Sequence, residues 1–238
     1  MGKIVAIGGG EMSKGETAQL DAYLVALAQK AHPKLLFVPT ASHDAVGYIR
    51  AVETHFGALG CEVSSLCLYD ENCGTPEKIR QTVLSADIIY VGGGDTVRML
   101  ERWRQVQLDA CLTEAYHKGI VLSGVSAGSI CWFSFGHSDG DSFVNTGWWD
   151  YVRAQGLGLI PAAHCPHYNE PGRESFDQMM ETEALPGIAL ENGAALVELD
   201  GKYFVIREQE SCKAYLFSHR TGKLQRQEIL PGEGLQLS

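Results

Sequence analysis

Gly124-Val125-Ser126-Ala127-Gly128 holds a serine between glycines just after the apolar run Ile120-Val121-Leu122. In a G-x-S-x-G arrangement a strand turns sharply into a helix and lifts the serine hydroxyl clear of the packed chain. Small flanking residues suit that turn, because larger side chains would strike neighbouring backbone. A chain with 27 glycines can hold the pattern by accident. Its meaning rests on what else can reach the serine.

A serine hydroxyl needs a base to attack a carbonyl. Of the eight histidines, His32, His43 and His55 fall in or beside predicted helices, and His117 and His219 lack chemical company. His137, His164 and His167 remain. The segment PAAHCPHYNEPGR, Pro161 to Arg173, follows an apolar stretch ending at Ile160 and is expected at a strand end. Pro166 restrains the backbone beside His167, which favours a fixed ring. The same two residues, His164 and His167, read equally well as one buried and one surface histidine of a loop. A metal site at His164, Cys165 and His167 lacks a carboxylate at zinc-protease spacing, so no metal is expected.

The attack also needs donors for the developing oxyanion, and backbone amides serve. Ala127 N–H opens the predicted helix, where the macrodipole favours negative charge. Gly93 or Gly94, in a second Gly-rich loop, offers the other donor. Neither Gly8-Gly9-Gly10 nor Gly92-Gly93-Gly94 shows the spacing and acidic partner of a dinucleotide site. The carboxylate that would orient the histidine stays open among Asp139, Asp141, Glu170 and Glu191. Glu191 emerges in a turn between apolar runs, whereas Asp139 and Asp141 lie in an irregular stretch and could hold a cationic group.

These residues need a frame. Apolar strands are expected at Lys3 to Ile7, Leu35 to Val38, Glu62 to Leu68, Asp87 to Val91 and Ile120 to Leu122. Helical spacing between them predicts helices over Thr17 to Ala31, Ala45 to Leu59, Pro76 to Ser85 and Val97 to Lys118, with another starting at Ala127. Such alternation predicts an α/β fold with a mostly parallel sheet and helices on both faces. Loops at the carboxyl ends of parallel strands gather at one edge, where ligands bind. Gly92-Gly93-Gly94 and Ser126 should therefore meet. Gly136 to Gly158, with Trp148, Trp149 and Tyr151, lacks periodicity and reads as a structured loop. Short strands at Ala194 to Leu199, Lys202 to Ile206 and Ala214 to Phe217 are antiparallel and extend or cap the sheet. One domain spanning residues 1–238 is the simplest organisation.

Composition narrows the partners. A net charge of −10 argues against a nucleic-acid groove or an anionic membrane surface, both of which want excess lysine and arginine. Seven scattered cysteines without a C-x-x-C pair read as reduced thiols, and no apolar run approaches a membrane span, so a cytoplasmic location is expected.

In order along the chain, strand-GGGDT-helix, strand-GVSAGS-helix, a proline-histidine-aromatic segment and an ALENG segment resemble the serine peptidase family of peptidase E and cyanophycinase. The resemblance runs from about Lys3 to Val197. It implies a class I glutamine amidotransferase-like α/β sandwich. Ser126 is then the nucleophile, His167 in Cys165-Pro166-His167-Tyr168 the base, and Gly93 or Gly94 with Ala127 the oxyanion hole. Glu191 matches the family acid, and Asp139 is held in reserve. Arg173 resembles an arginine that pairs with a substrate carboxylate, although it follows the histidine more closely here than in peptidase E. The implied activity is exopeptidase cleavage of short peptides, including dipeptides that begin with aspartate. It needs no cofactor; a homodimer is left open. An esterase or amidase using the same triad, and a non-catalytic ligand-binding protein of the same shell, are the alternatives.

Overall fold

Strict alternation organises the first sheet. Strand β1 (Lys3–Ile7) turns Ile4 and Ala6 to one face and Val5 and Ile7 to the other, all buried, so both faces must be covered. The same division holds in β2 (Lys34–Val38), where Leu36 and Val38 oppose Leu35 and Phe37. The computed structural model describes residues 2–70, 73–145, 147 and 150–237.

In chain order, β1 leads to α1 (Ala18–Ala26), then β2, α2 (Val46–Ala58), β3 (Glu62–Ser65) and α3 (Pro76–Leu84). Next come β4 (Ile88–Val91), α4 (Thr96–Val106), α5 (Leu108–His117), β5 (Val121–Val125) and the single turn α6 (Ala127–Ile130). The remainder is β6 (Phe133–Ser138), β7 (Val152–Gln155), β8 (Ile160–Cys165), α7 (Ser175–Met180) and β9 (Gly187–Leu190). It closes with β10 (Ala194–Leu199), β11 (Lys202–Arg207), β12 (Ala214–Arg220) and β13 (Lys223–Glu228).

Seven strands form the first sheet in the order β11-β10-β1-β5-β4-β2-β3. From β1 to β3 the neighbours are parallel, and β10 and β11 continue antiparallel beyond β1. One face packs on α1 and α2 through Leu20, Leu24, Val52 and Phe56. The other meets α3, α4 and α5 and also Ile160, Ala162, Ile188 and Leu190 of a second sheet. That second sheet has six strands ordered β13-β12-β9-β8-β6-β7, and its far face is covered by Phe176 and Met180 of α7.

The expected α/β frame holds, and the second sheet is what periodicity did not reveal. Part of the segment read as a loop is strand: the end of β6 and all of β7. A register shift between Phe133 and Phe135 puts Phe133 in the inter-sheet core and Phe135 on the opposite face. Two steps along β6 there face three along β8, so residues two apart in β6 point to opposite faces and the period that marks a strand is lost. Trp148 and Trp149 of that segment lie outside the described residues. No helix among the described residues is long and apolar enough to cross a membrane.

Candidate active site

Register sets the site's position. Ile7 pairs with Val125, Gly124 with Val91, and Val91 with Val38, so β1, β5, β4 and β2 end level. Three successive carbonyls at the end of β1 then collect the key segments. The oxygen of Ile7 accepts Ser126 N–H at 3.1 Å, that of Gly8 accepts His167 N–H at 3.1 Å, and that of Gly9 accepts Gly193 N–H at 2.9 Å. The serine loop, the histidine loop and the turn after β9 thus share one short piece of backbone.

Ser126 sits at φ 58° and ψ −118°, a strained conformation for a residue with a side chain. Such strain costs on the order of 1–3 kcal/mol and persists only where the surroundings enforce it. The enforcement is close backbone packing. A Cβ on Gly124 would run into the Gly128 carbonyl oxygen, and one on Gly128 into that of Val91. Hence the two glycines of the motif. The expected helix after the serine is only four residues, so its dipole is small and any oxyanion stabilisation comes from individual amides.

The amides of the two loops differ in their partners. In the loop after β4, Gly92 N–H donates to Val38 O at 3.2 Å and Asp95 N–H to Ala41 O at 2.9 Å. Gly93 N–H points at the Tyr48 hydroxyl, 3.3 Å away. Gly94 N–H has no such acceptor among the described residues. Ala127 N–H precedes the bonds that Ser129 and Ile130 make back to Ser126 O, so it has no partner within its own turn. Gly93 still borders the serine: a Cβ on it would lie 3.7 Å from Ser126 Oγ. Asp95 of the GGGDT run has a structural duty, its Oδ1 capping α4 by accepting the amides of Val97 and Arg98.

His167, at φ 52°, begins a tight turn closed by Glu170 N–H donating to His167 O at 2.8 Å. Its ring Nδ1 lies 2.7 Å from Asn192 Oδ1 and 3.2 Å from Glu170 Oε1. Asn192 Nδ2 donates to Glu170 at 3.0 Å. A carboxylate only accepts, so the amide nitrogen must face Glu170 and the amide oxygen must face the imidazole. Nδ1 therefore carries the proton, and Nε2 is the unprotonated nitrogen of the neutral ring.

Glu191 and Asp139 are engaged elsewhere. Glu191 continues the β9–β12 ladder: its N–H donates to Lys213 O at 3.0 Å and its carboxylate accepts Lys213 N–H at 2.8 Å. Asp139 pairs with Arg173 at 3.0 Å. Arg173, with 3% of its surface exposed, also donates to His137 O at 3.1 Å and stacks on Tyr151. It is neither solvated nor a free cation. Asp141 accepts from Asn145 and Asp150 within its own loop. Asn192 carries no charge; its place in the ALENG segment, one residue past Glu191, was the signal that could have drawn attention to it.

The two other histidines are structural neighbours of the site. His164, on β8, is fully buried, with Nδ1 2.9 Å from Ile188 O and Nε2 2.8 Å from Ser129 Oγ. The same hydroxyl lies 2.7 Å from Ser126 O, so a single proton faces two acceptors behind Ser126. His137 bonds Ser175 Oγ at 2.8 Å and stacks on Tyr151. Cys165 points to the His137 side, so His164, Cys165 and His167 do not converge.

Burial pushes both His164 and His137 down to about 3, with the charge of Arg173 adding to the effect at His137. Between about pH 6.5 and 3 the unfolded chain therefore binds protons that the native state refuses, and stability falls as pH falls. Each histidine contributes a slope of up to about 1.4 kcal/mol per pH unit in that window. Urea midpoints measured from pH 7.5 to 4.5 should drop accordingly, and His164→Gln should flatten the slope. An unaltered slope in the variant would show that the ring is protonated without penalty.

Comparison with known proteins places the chain in a family. The model of peptidase family S51 matches residues 4–206. Over 220 residues the chain is 33% identical to the uncharacterized peptidase YgaJ of Bacillus subtilis, covering 90% of this chain and 91% of that one. It is 28% identical to a peptidase E of Shewanella denitrificans, covering 85% and 84%. Among solved structures, a peptidase from an acI-B1 actinobacterium aligns with TM-score 0.76 at 19% identity over 99% of this chain and 96% of that one. A putative peptidase E protein from Listeria monocytogenes aligns with TM-score 0.66 at 19% identity over 88% and 100%. On the family match, which spans most of its length, this chain belongs to peptidase family S51.

Proposed function

We propose that this S51 peptidase is a serine-type enzyme cleaving short peptides, with Ser126 as nucleophile and His167 as base. The observation that carries the reading is the adjacent pair of acceptors at Ile7 O and Gly8 O, which hold the backbones of Ser126 and His167 side by side. Nε2 of His167 takes the hydroxyl proton as Ser126 Oγ bonds the scissile carbonyl carbon, and Gly94 and Ala127 amides receive the oxyanion. His167 then passes the proton to the leaving amine as the C–N bond breaks. Water attacks the acyl-enzyme, gives its proton to His167, and the departing Ser126 oxygen recovers it.

Asn192 takes the place in this reading that the sequence assigned to Glu191. The peptidase E name of a 28% identical relative supports a peptide substrate. A preference for an amino-terminal aspartate depended on Arg173, whose guanidinium is committed to Asp139. A substrate carboxylate would have to displace that partner.

A fluorophosphonate reagent should modify Ser126, as located by mass spectrometry of the digested protein. A panel of Asp-X and Ala-X dipeptides should show turnover. Modification at Ser126 with turnover of simple aryl esters alone would favour an esterase or amidase, and an unmodified serine with no turnover would leave a binding protein.

A further inference from the structure

The orienting partner of His167 poses a problem of charge. An amide oxygen such as that of Asn192 can hold the imidazole in one tautomer, but it is neutral. A triad carboxylate does more: it stabilises the imidazolium that forms when the serine proton is taken. Among the described residues one carboxylate lies at this ring, and it is not on the segment that carries Asn192.

We propose that Glu170 is the positioning carboxylate of this site, supplying from the histidine's own turn the negative charge that Asn192 lacks. Three observations carry it. Glu170 Oε1 stands 3.2 Å from Nδ1 of His167. The same oxygen accepts Asn192 Nδ2 at 3.0 Å, which turns the amide oxygen onto Nδ1 at 2.7 Å. The turn that returns Glu170 to the ring is itself closed, by the bond from Glu170 N–H to His167 O. Glu170 thus acts twice, by fixing the asparagine and by lending charge to the imidazole, while touching no reacting atom.

The other charged groups near the ring do not compete. Glu191 is turned to the Lys213 amide, Asp139 and Arg173 neutralise each other, and His164 is held neutral by burial. This inference rests on His167 being the base, so its test needs a measurement that does not depend on turnover.

Glu170→Gln is the informative change, because glutamine retains an oxygen for Asn192 Nδ2 and removes only the charge. The Glu170 side chain is 47% exposed, so solvent moderates the effect. In a Ser126→Ala background, the His167 ring signal, assigned by its loss in His167→Gln, should titrate at lower pH in Glu170→Gln than with Glu170 present, because a neighbouring negative charge favours the protonated ring. In the protein with Ser126 intact, kcat should fall about three- to tenfold with little change in KM, and the acid limb of the kcat/KM profile should move the same way. Adding Asn192→Asp to Glu170→Gln returns a carboxylate to Nδ1 and should restore both the limb and the rate.

A residue that only shaped the loop would change thermal stability and KM without moving the titration. An unmoved His167 titration in Glu170→Gln, in a protein that melts normally, overturns the proposal. If instead the titration moves but Ser126→Ala still cleaves peptides, the carboxylate's role stands and the serine mechanism falls.

Discussion

Ser126→Ala should lower kcat/KM for the best dipeptide by at least about 10,000-fold, leaving the activity that binding and the oxyanion amides alone provide. The folded state should survive. The strained φ of 58° at this position is enforced by the contacts of Gly124 and Gly128, and the bond from Ser126 N–H to Ile7 O is backbone only. Alanine retains both, so the melting temperature should change by no more than about 2 °C. Groups that act as a unit are not additive, so Ser126→Ala combined with His167→Ala should be little worse than Ser126→Ala alone. Steady-state kinetics of the two single variants and the double variant, with calorimetry as a control, decide the matter. Residual turnover within tenfold of the parent would remove Ser126 from the chemistry.

Gly9→Ala should have the second largest effect, at a residue that makes no side-chain contact today. A Cβ at Gly9 would occupy the space where Asn192 Oδ1 meets His167 Nδ1. Backbone conformation is no obstacle, because Gly9 lacks the positive φ that Gly10 has. The methyl must therefore push apart the ends of two side chains, at a stability cost of about 1–2 kcal/mol. Catalysis depends more steeply on placement: an error of about 1 Å in a positioned group costs on the order of 100-fold. The expected result is a roughly 100-fold fall in kcat with a modest shift of the urea midpoint. A variant as active as the parent would show that the pairing of His167 with Asn192 is dispensable.

The contrast with the motif glycines is instructive. Gly124 and Gly128 face main-chain carbonyls, which cannot rotate away, so side chains there should threaten the fold before the chemistry. Gly9 faces movable side chains, so substitution there should threaten the chemistry first. Both readings follow from what a single added carbon would meet.

Much of this was legible before any coordinates. Alternating apolar strands and helical stretches announced an α/β fold, and the Gly-rich loop after β4 and the serine after β5 were expected to share one sheet edge. The G-x-S-x-G spacing carries its own physical demand, since only glycine allows backbone segments to pass so closely. Other elements were hidden for definite reasons. The register shift between Phe133 and Phe135 broke the period along β6 that would have revealed the second sheet. Arg173 and Asp139 looked like separate site candidates because nothing in the spacing of 34 residues signals that they pair with each other.

By itself, the sequence determined the frame and the serine's turn, because those depend on local periodicity and on where a side chain can be tolerated. Only the tertiary structure decided which group meets the histidine. Glu191 and Asn192 are neighbours in one turn, yet the first follows the β12 backbone while the second reaches a ring 25 residues away. Direction within a turn is set by what packs on either side of it, and no pattern along the chain encodes that.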